Sequence, residues 1–175
     1  MERWKLVRPC EEHLEQVREY RQAFLAAGDG LDGAGPLRRF EDPADWLRQV
    51  RLYEDPATVP PHLVQATQFL CVRKDDGRVL GMLQVRHRLN EYLAQYAGHI
   101  GYSVRPDERR KGVAKWMLRE SLDYCRALGL EKVMVACLPD NEGSRRTILA
   151  NGGVYERTVF EPDDGELLEQ YWITL

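Results

Sequence analysis

The residues best suited to chemistry stand together at Arg109-Arg110-Lys111-Gly112. Ahead of them, in Gly98 to Val104, Ile100, Tyr102 and Val104 alternate as in a strand. Arg105-Pro106-Asp107 stops that strand, because proline gives no N–H to a ladder and biases its neighbour away from helix. Beyond Gly112, residues Val113, Trp116, Met117, Ser121, Tyr124, Cys125 and Leu128 recur at helical spacing and form one mostly apolar stripe. The pattern is strand, tight turn, helix. The basic triplet sits at the helix start, where unpaired N–H groups and the helix dipole favour an anion. Gly112 lets a phosphate approach the backbone, and Ala114 keeps the next turn small before Lys115. The stretch reads as a diphosphate cradle.

The spacing is neither the dinucleotide fingerprint, which needs G-x-G-x-x-G, nor a Walker loop, which needs a second Gly followed by Lys and Ser or Thr. Arg109-x-x-Gly112-x-Ala114 resembles the acetyl-CoA signature of the GCN5-related N-acetyltransferases (GNAT), written R/Q-x-x-G-x-G/A. The strand ending in Val104-Arg105-Pro106 is similar to that family too. The resemblance implies acetyl-CoA as donor, with no metal, and transfer to a primary amine by direct attack. It implies contacts to the donor from Arg109, Arg110, Lys111, Gly112, Val113, Ala114 and Lys115. It places the pantetheine arm along Tyr102 to Val104 in the manner of an added strand.

The positioning elements follow in chain order. Trp4 to Arg8 alternates as a first strand, closed by Pro9. Glu11 to Ala27 reads as a helix with Leu14, Val17, Tyr20, Phe24 and Leu25 on its apolar side, stopped at Gly28-Asp29-Gly30. Residues 28 to 42 read as loop. Asp42 or Asp45 starts a second helix through Trp46, Leu47, Val50 and Leu52, and Pro56, Pro60 and Pro61 enforce an irregular connection. The whole segment 28–66 is either a lid over the acceptor or plain surface connection. Lys74-Asp75-Asp76-Gly77 joins two apolar runs, 68–73 and 78–86, as a hairpin. Residues 89–93 read as a short loop before the cofactor strand.

Past the cofactor helix, Gly129 is a left-handed stop, and Lys132 to Cys137 is a buried strand reached by a parallel crossover. Asp140 or Asn141 caps the next helix, which Asn151-Gly152-Gly153 ends; residues 154–160 and 167–175 close the chain as a hairpin. Asn141 with Ser144 resembles the family's next motif and is implied to meet the donor. The expected fold is therefore α/β, a GNAT-like mixed and mostly antiparallel sheet flanked by helices, in a single acetyltransferase domain over 1–175.

One departure concerns the reaction. Many family members carry, in that last helix, a Tyr that protonates the departing thiolate, and the matching position here is Ile148. Tyr155, Tyr102 or a water could stand in, or the thiolate could leave unaided, since a thiol pKa near 8.5 makes it a fair leaving group. The acceptor ammonium must lose a proton, so a base is needed near the cofactor strand. His99 at the strand's start and Glu91 just upstream are the candidates, each against the reading of a satisfied strand histidine or a solvated loop acid. A non-catalytic module that binds or senses acyl-CoA is the alternative function, and the missing Tyr lends it some support.

Composition limits the other classes. The 175 residues, 43% hydrophobic and 30% charged, suit one globular domain. A net charge of -3 argues against nucleic acid. No apolar run could cross a membrane, and no secretory h-region opens the chain. Cys10, Cys71, Cys125 and Cys137 lack C-x-x-C spacing, which argues against zinc or a disulfide framework and fits a reducing, cytoplasmic setting. The family resemblance implies a small-molecule or peptide amine as acceptor, and a homodimer is left open. Acidic residues Glu41, Asp42, Asp45, Glu54 and Asp55 hint at a cationic acceptor.

Overall fold

The computed structural model describes residues 2–175. Seven strands, β1 (Trp4–Val7), β2 (Ala66–Arg73), β3 (Val79–Arg86), β4 (Ile100–Val104), β5 (Lys132–Cys137), β6 (Val154–Glu161) and β7 (Glu166–Thr174), form one sheet in the order β1-β2-β3-β4-β5-β7-β6. Only β4 and β5 run parallel; every other neighbouring pair is antiparallel. Four helices flank the sheet: α1 (Leu14–Ala27), α2 (Pro43–Glu54), α3 (Val113–Ala127) and α4 (Glu142–Ala150). This is the mixed, mostly antiparallel architecture expected.

β2 and β3 are buried on both faces, whereas β4 is half-buried through its middle. On one face Phe69, Cys71, Leu83, Val85, Ile100 and Val135 pack with Met117, Leu118 and Ile148 of α3 and α4. On the other, Leu70, Val72 and Met82 pack with Val17, Tyr20 and Phe24 of α1 and Trp46, Leu47 and Val50 of α2. Each fully buried aliphatic side chain contributes roughly 1.5–3 kcal/mol. The α3 stripe runs as expected, with two additions: Leu118 and Leu122 are buried, whereas Trp116 and Tyr124 sit half-buried at its margin.

The helix ends obey local chemistry. Asp42 caps α2 by accepting from the Ala44 N–H at 2.9 Å, with Pro43 inside the first turn. Asn141 caps α4 by accepting from the Ser144 N–H at 3.1 Å. Gly129, at φ +85°, ends α3, with its N–H on Arg126 O and that of Leu130 on Cys125 O. The 74–77 turn closes β2 onto β3 as the Asp-Gly pair predicted.

Two stretches differ from expectation. Residues 89–93 are not a plain loop: they lead into a π-helical segment, Leu93–Ala97, in which the Gly98 N–H reaches Leu93 O and Asn90 Oδ1 takes the Leu93 N–H. The 28–42 stretch lacks regular period but is not loose. Leu31, Ala34 and Leu37 are buried, Trp46 Nε1 donates to Ala34 O at 2.7 Å, and Gln68 Nε2 donates to Gly33 O at 2.7 Å. It is a wall laid on the α1–α2 face of the sheet.

Candidate active site

β4 and β5 meet at Ile100 and Val135 and then part. His99 makes the last clasp before the split: its N–H donates to Met134 O at 2.8 Å, and its Nδ1 accepts the Met134 N–H at 2.9 Å. Gly98 must be glycine there, at φ +71°, because a β-carbon would stand 2.4 Å from Met134 O. Past the clasp only β3 borders β4. The Arg105 N–H bonds Leu80 O, and with the β3–β4 register this alternation turns Ser103 and Gly101 toward β3. The N–H and C=O of Tyr102 and the N–H of Val104 are left facing the open slot, an unpaired edge that can take an extended amide-bearing chain.

The slot leads into the 105–113 turn. The backbone N–H groups of Arg110 through Lys115 have no acceptor among the described residues, and Trp116 is the first to bond, to Gly112 O. Gly112 has φ +86°, and nothing stands within 4 Å of where its β-carbon would be, so a phosphate can reach these donors. Arg110, at φ +61°, is the one non-glycine residue with positive φ among those described. Such a position costs roughly 1–3 kcal/mol and clusters at ligand clamps.

The three cations do not act alike. Arg109 is spent on the fold: its Nε donates to Val104 O at 3.1 Å, its Nη1 pairs with Asp29 at 2.8 Å, and its guanidinium lies over the Phe24 ring. Lys111 pairs at 2.9 Å with Glu108, a buried carboxylate also held by Arg73 and Arg78; the Lys111 hydrogen bond, and after it the two guanidiniums, hold its pKa below the usual range against burial. Arg110 and Lys115 are exposed and without an ion-pair partner among the described residues. The signature arginine therefore braces the turn, and the free charge comes from its neighbours. Val113 and Val104 face the core, so they offer backbone groups only.

Of the catalytic candidates, His99 is the clearest correction. Its Nδ1 lone pair is occupied, so a neutral ring carries its proton on Nε2 and has no site left to accept another. Burial, assisted by Arg86, pushes its pKa down to about 4. Tyr155 stands on the edge strand β6, half-exposed, its hydroxyl on Thr158 at 2.8 Å and its ring against Tyr171. Glu91 is exposed and borders a shallow cleft of about 340 Å³ with His62, Asn90, Tyr92 and Gln95. Ile148 is fully buried. The hydroxyls at the slot are instead Tyr102 and Ser144, 2.7 Å apart. Burial raises the Tyr102 pKa, so it keeps its proton.

The structure adds Asp32, which sequence reasoning passed over. Its neighbour Gly33 lies directly on β4: a β-carbon on Gly33 would fall 2.4 Å from Gly101 O. Asp32 is open to solvent and unpaired among the described residues, yet desolvation by the surrounding wall raises its pKa against the pull of Arg86 and Arg38. The signal was available in Gly30-Leu31-Asp32-Gly33-Ala34-Gly35, where small residues permit close backbone approach around one acid. The acids of 41–55 form no such site. Asp42 caps α2, Asp45 pairs with Arg48, Glu54 pairs with Arg8, and Asp55 accepts the Ala57 N–H.

The four cysteines are free; burial raises Cys71 to about 12 and Cys125 and Cys137 to about 11. Among the described residues no group of three or more His, Cys, Asp or Glu could hold a metal ion, and no helix is long and apolar enough to cross a membrane.

Residues 34–152 match the profile of the Acetyltransferase (GNAT) family. No curated protein matches the sequence significantly. The fold is similar to ribosomal-protein-S5-alanine acetyltransferase from Vibrio fischeri, with 20% identity, a TM-score of 0.73, and coverage of 99% of this chain and 94% of that one. It is similar to Mycobacterium smegmatis RimJ in complex with CoA-disulfide (19%, TM-score 0.73, 98% and 81%). It is also similar to RimL, a ribosomal L7/L12 alpha-N-protein acetyltransferase in complex with coenzyme A (15%, TM-score 0.76, 100% and 96%).

Proposed function

The chain belongs to the acetyltransferase (GNAT) family, and we propose that it moves an acetyl group from acetyl-CoA, lying in the β4–β5 slot, to an amine that arrives from the α1–α2 face. The observation that carries this reading is the continuity of the open β4 edge with the free amides of Arg110 to Lys115. A pantetheine arm pairs with Tyr102 and Val104, and its diphosphate meets the amides with Arg110 and Lys115 beside them. The structurally similar RimL was solved in complex with coenzyme A, which supports CoA as the ligand of this family fold.

The chemistry is attack of the amine on the thioester carbonyl. Asp32 takes the proton that the ammonium must lose; desolvation brings its pKa toward the working range of a base. Tyr102, held by Ser144, donates to the departing thiolate in place of the Tyr absent at 148. Asn141 positions Ser144 through the cap. Cys137 remains a protonated thiol near neutrality, which favours direct transfer over an acyl-cysteine relay.

An amine panel with acetyl-CoA, read as thiol release, tests the activity, and a calorimetric CoA titration tests donor binding separately. Thiol release with one acceptor class and CoA binding support the reading. CoA binding with no turnover of any amine turns it toward a binding or sensing module. Absence of CoA binding at millimolar concentration ends it.

A further inference from the structure

Arg86, the last residue of β3, lies half-buried on the α1–α2 face against Gly101. Its Nη2 stands 3.6 Å from the point a β-carbon of Gly101 would occupy, and the Gly33 nitrogen stands 3.3 Å from that same point. A guanidinium has five N–H donors. Nη1 gives one to Gly98 O at 3.2 Å. Nε and Nη2 meet no acceptor among the described residues, and neither is sealed from solvent. No carboxylate among the described residues forms an ion pair with it. Surrounding protein desolvates it enough to lower its pKa, with Asp32 and Tyr92 opposing. A desolvated cation without a partner is costly, and most other arginines of this chain have a carboxylate.

We propose that Arg86 receives a carboxylate of the acceptor, and that the acceptor is a free amino acid. The inference rests on the acetyltransferase reading and names the acceptor class that reading leaves open. The free edge of the guanidinium is Nε with Nη2, the edge that grips both oxygens of a carboxylate in parallel hydrogen bonds. Asp32 stands next to Gly33, forms no ion pair among the described residues, and is close enough to Arg86 for each charge to act on the other, so an acid and a guanidinium without ion-pair partners share this face. An ammonium at Asp32 and a carboxylate at Arg86 satisfy both at once. A peptide N-terminus presents a neutral amide where the amino acid has its carboxylate, and would leave the guanidinium unpaired.

The test compares kcat/KM for free amino acids with their carboxamides, which keep the amine and side chain but lose the negative charge. The wild type is expected to favour the acids by at least about tenfold, the scale of a charge-assisted contact. Arg86→Met is expected to bring the acid-to-amide ratio near one, chiefly through KM for the acids. Arg86→Lys, which keeps a point charge without the fork, is expected to fall between. A wild type that uses amides or peptide N-termini as well as acids overturns the inference whether or not any variant folds. So does a preference that survives in Arg86→Met. A parallel CoA titration separates the two readings: CoA binding with no turnover of any free amino acid removes this inference alone, whereas no CoA binding removes the acetyltransferase reading as well.

Discussion

The Tyr102 and Ser144 hydroxyls, 2.7 Å apart, join β4 to the first turn of α4 just beyond the point where β4 and β5 separate. As a proton donor to the leaving thiolate, Tyr102 works by its hydroxyl alone. Tyr102→Phe is therefore expected to lower kcat about ten- to a hundredfold, while the lost hydrogen bond costs only about 1 kcal/mol of stability. Steady-state rates and a melting curve on the same sample check this. An unchanged kcat would return the proton to water.

Gly112 combines two demands that substitution can separate. Its positive φ penalises any side chain by about 1–2 kcal/mol, and the open space at its α-carbon is the approach to the free amides. Gly112→Ala is expected to lower the melting temperature modestly. Gly112→Glu is expected to do the same and also to weaken CoA binding at least about tenfold, because its charge repels the diphosphate. Equal CoA affinity in folded Gly112→Glu, measured by calorimetry, would move the phosphate site elsewhere.

For Asp32 the expectation concerns pH. The base must be ionised to act, so activity rises as pH climbs through its raised pKa, with Arg86 and Arg38 the facing cations. Asp32→Asn is expected to lose about a hundredfold in kcat/KM and to flatten that acidic limb. A pH–rate profile of the variant that kept the limb would assign it to another group.

His99 predicts a pH effect on stability rather than on rate. Its folded pKa of about 4 lies below the value near 6.5 of an unfolded chain. Between the two, the unfolded state binds the proton that the folded state refuses, so stability falls as pH drops from about 6.5 to about 4. His99→Gln, whose amide oxygen can still accept the Met134 N–H, is expected to remove that decline and leave the shape of the pH–rate profile intact. Melting temperatures across this range provide the comparison.

The elements that frame the proposed donor slot were legible because local patterns specify them. The apolar period of α3 begins at the glycine that ends a basic turn, and the Asp-Gly hairpin and the Asn141 cap follow the same short-range rules. The acceptor half was not, because contacts between distant segments build it. Gly33 meets Gly101, and Arg86 comes alongside, through the stacking of an aperiodic loop on a sheet. The same distance explains His99: its partner is a backbone N–H on a strand a crossover away, and nothing at its own position announces that the ring is already occupied.

The contact between Gly33 and Gly101 is a seam with no adjustable part. No side chain lies between the two backbones, so there is no rotamer to cushion a shift of one against the other. Descendants of this chain could not retune the acceptor by enlarging Gly33 without separating the wall from the strand, and a β-carbon on Gly101 would press on Gly33 N at 3.3 Å. Their room to diverge lies on the shoulders of the seam, at Asp32 and Arg86, where a single replacement can alter which charge is welcome and leave the donor's berth undisturbed.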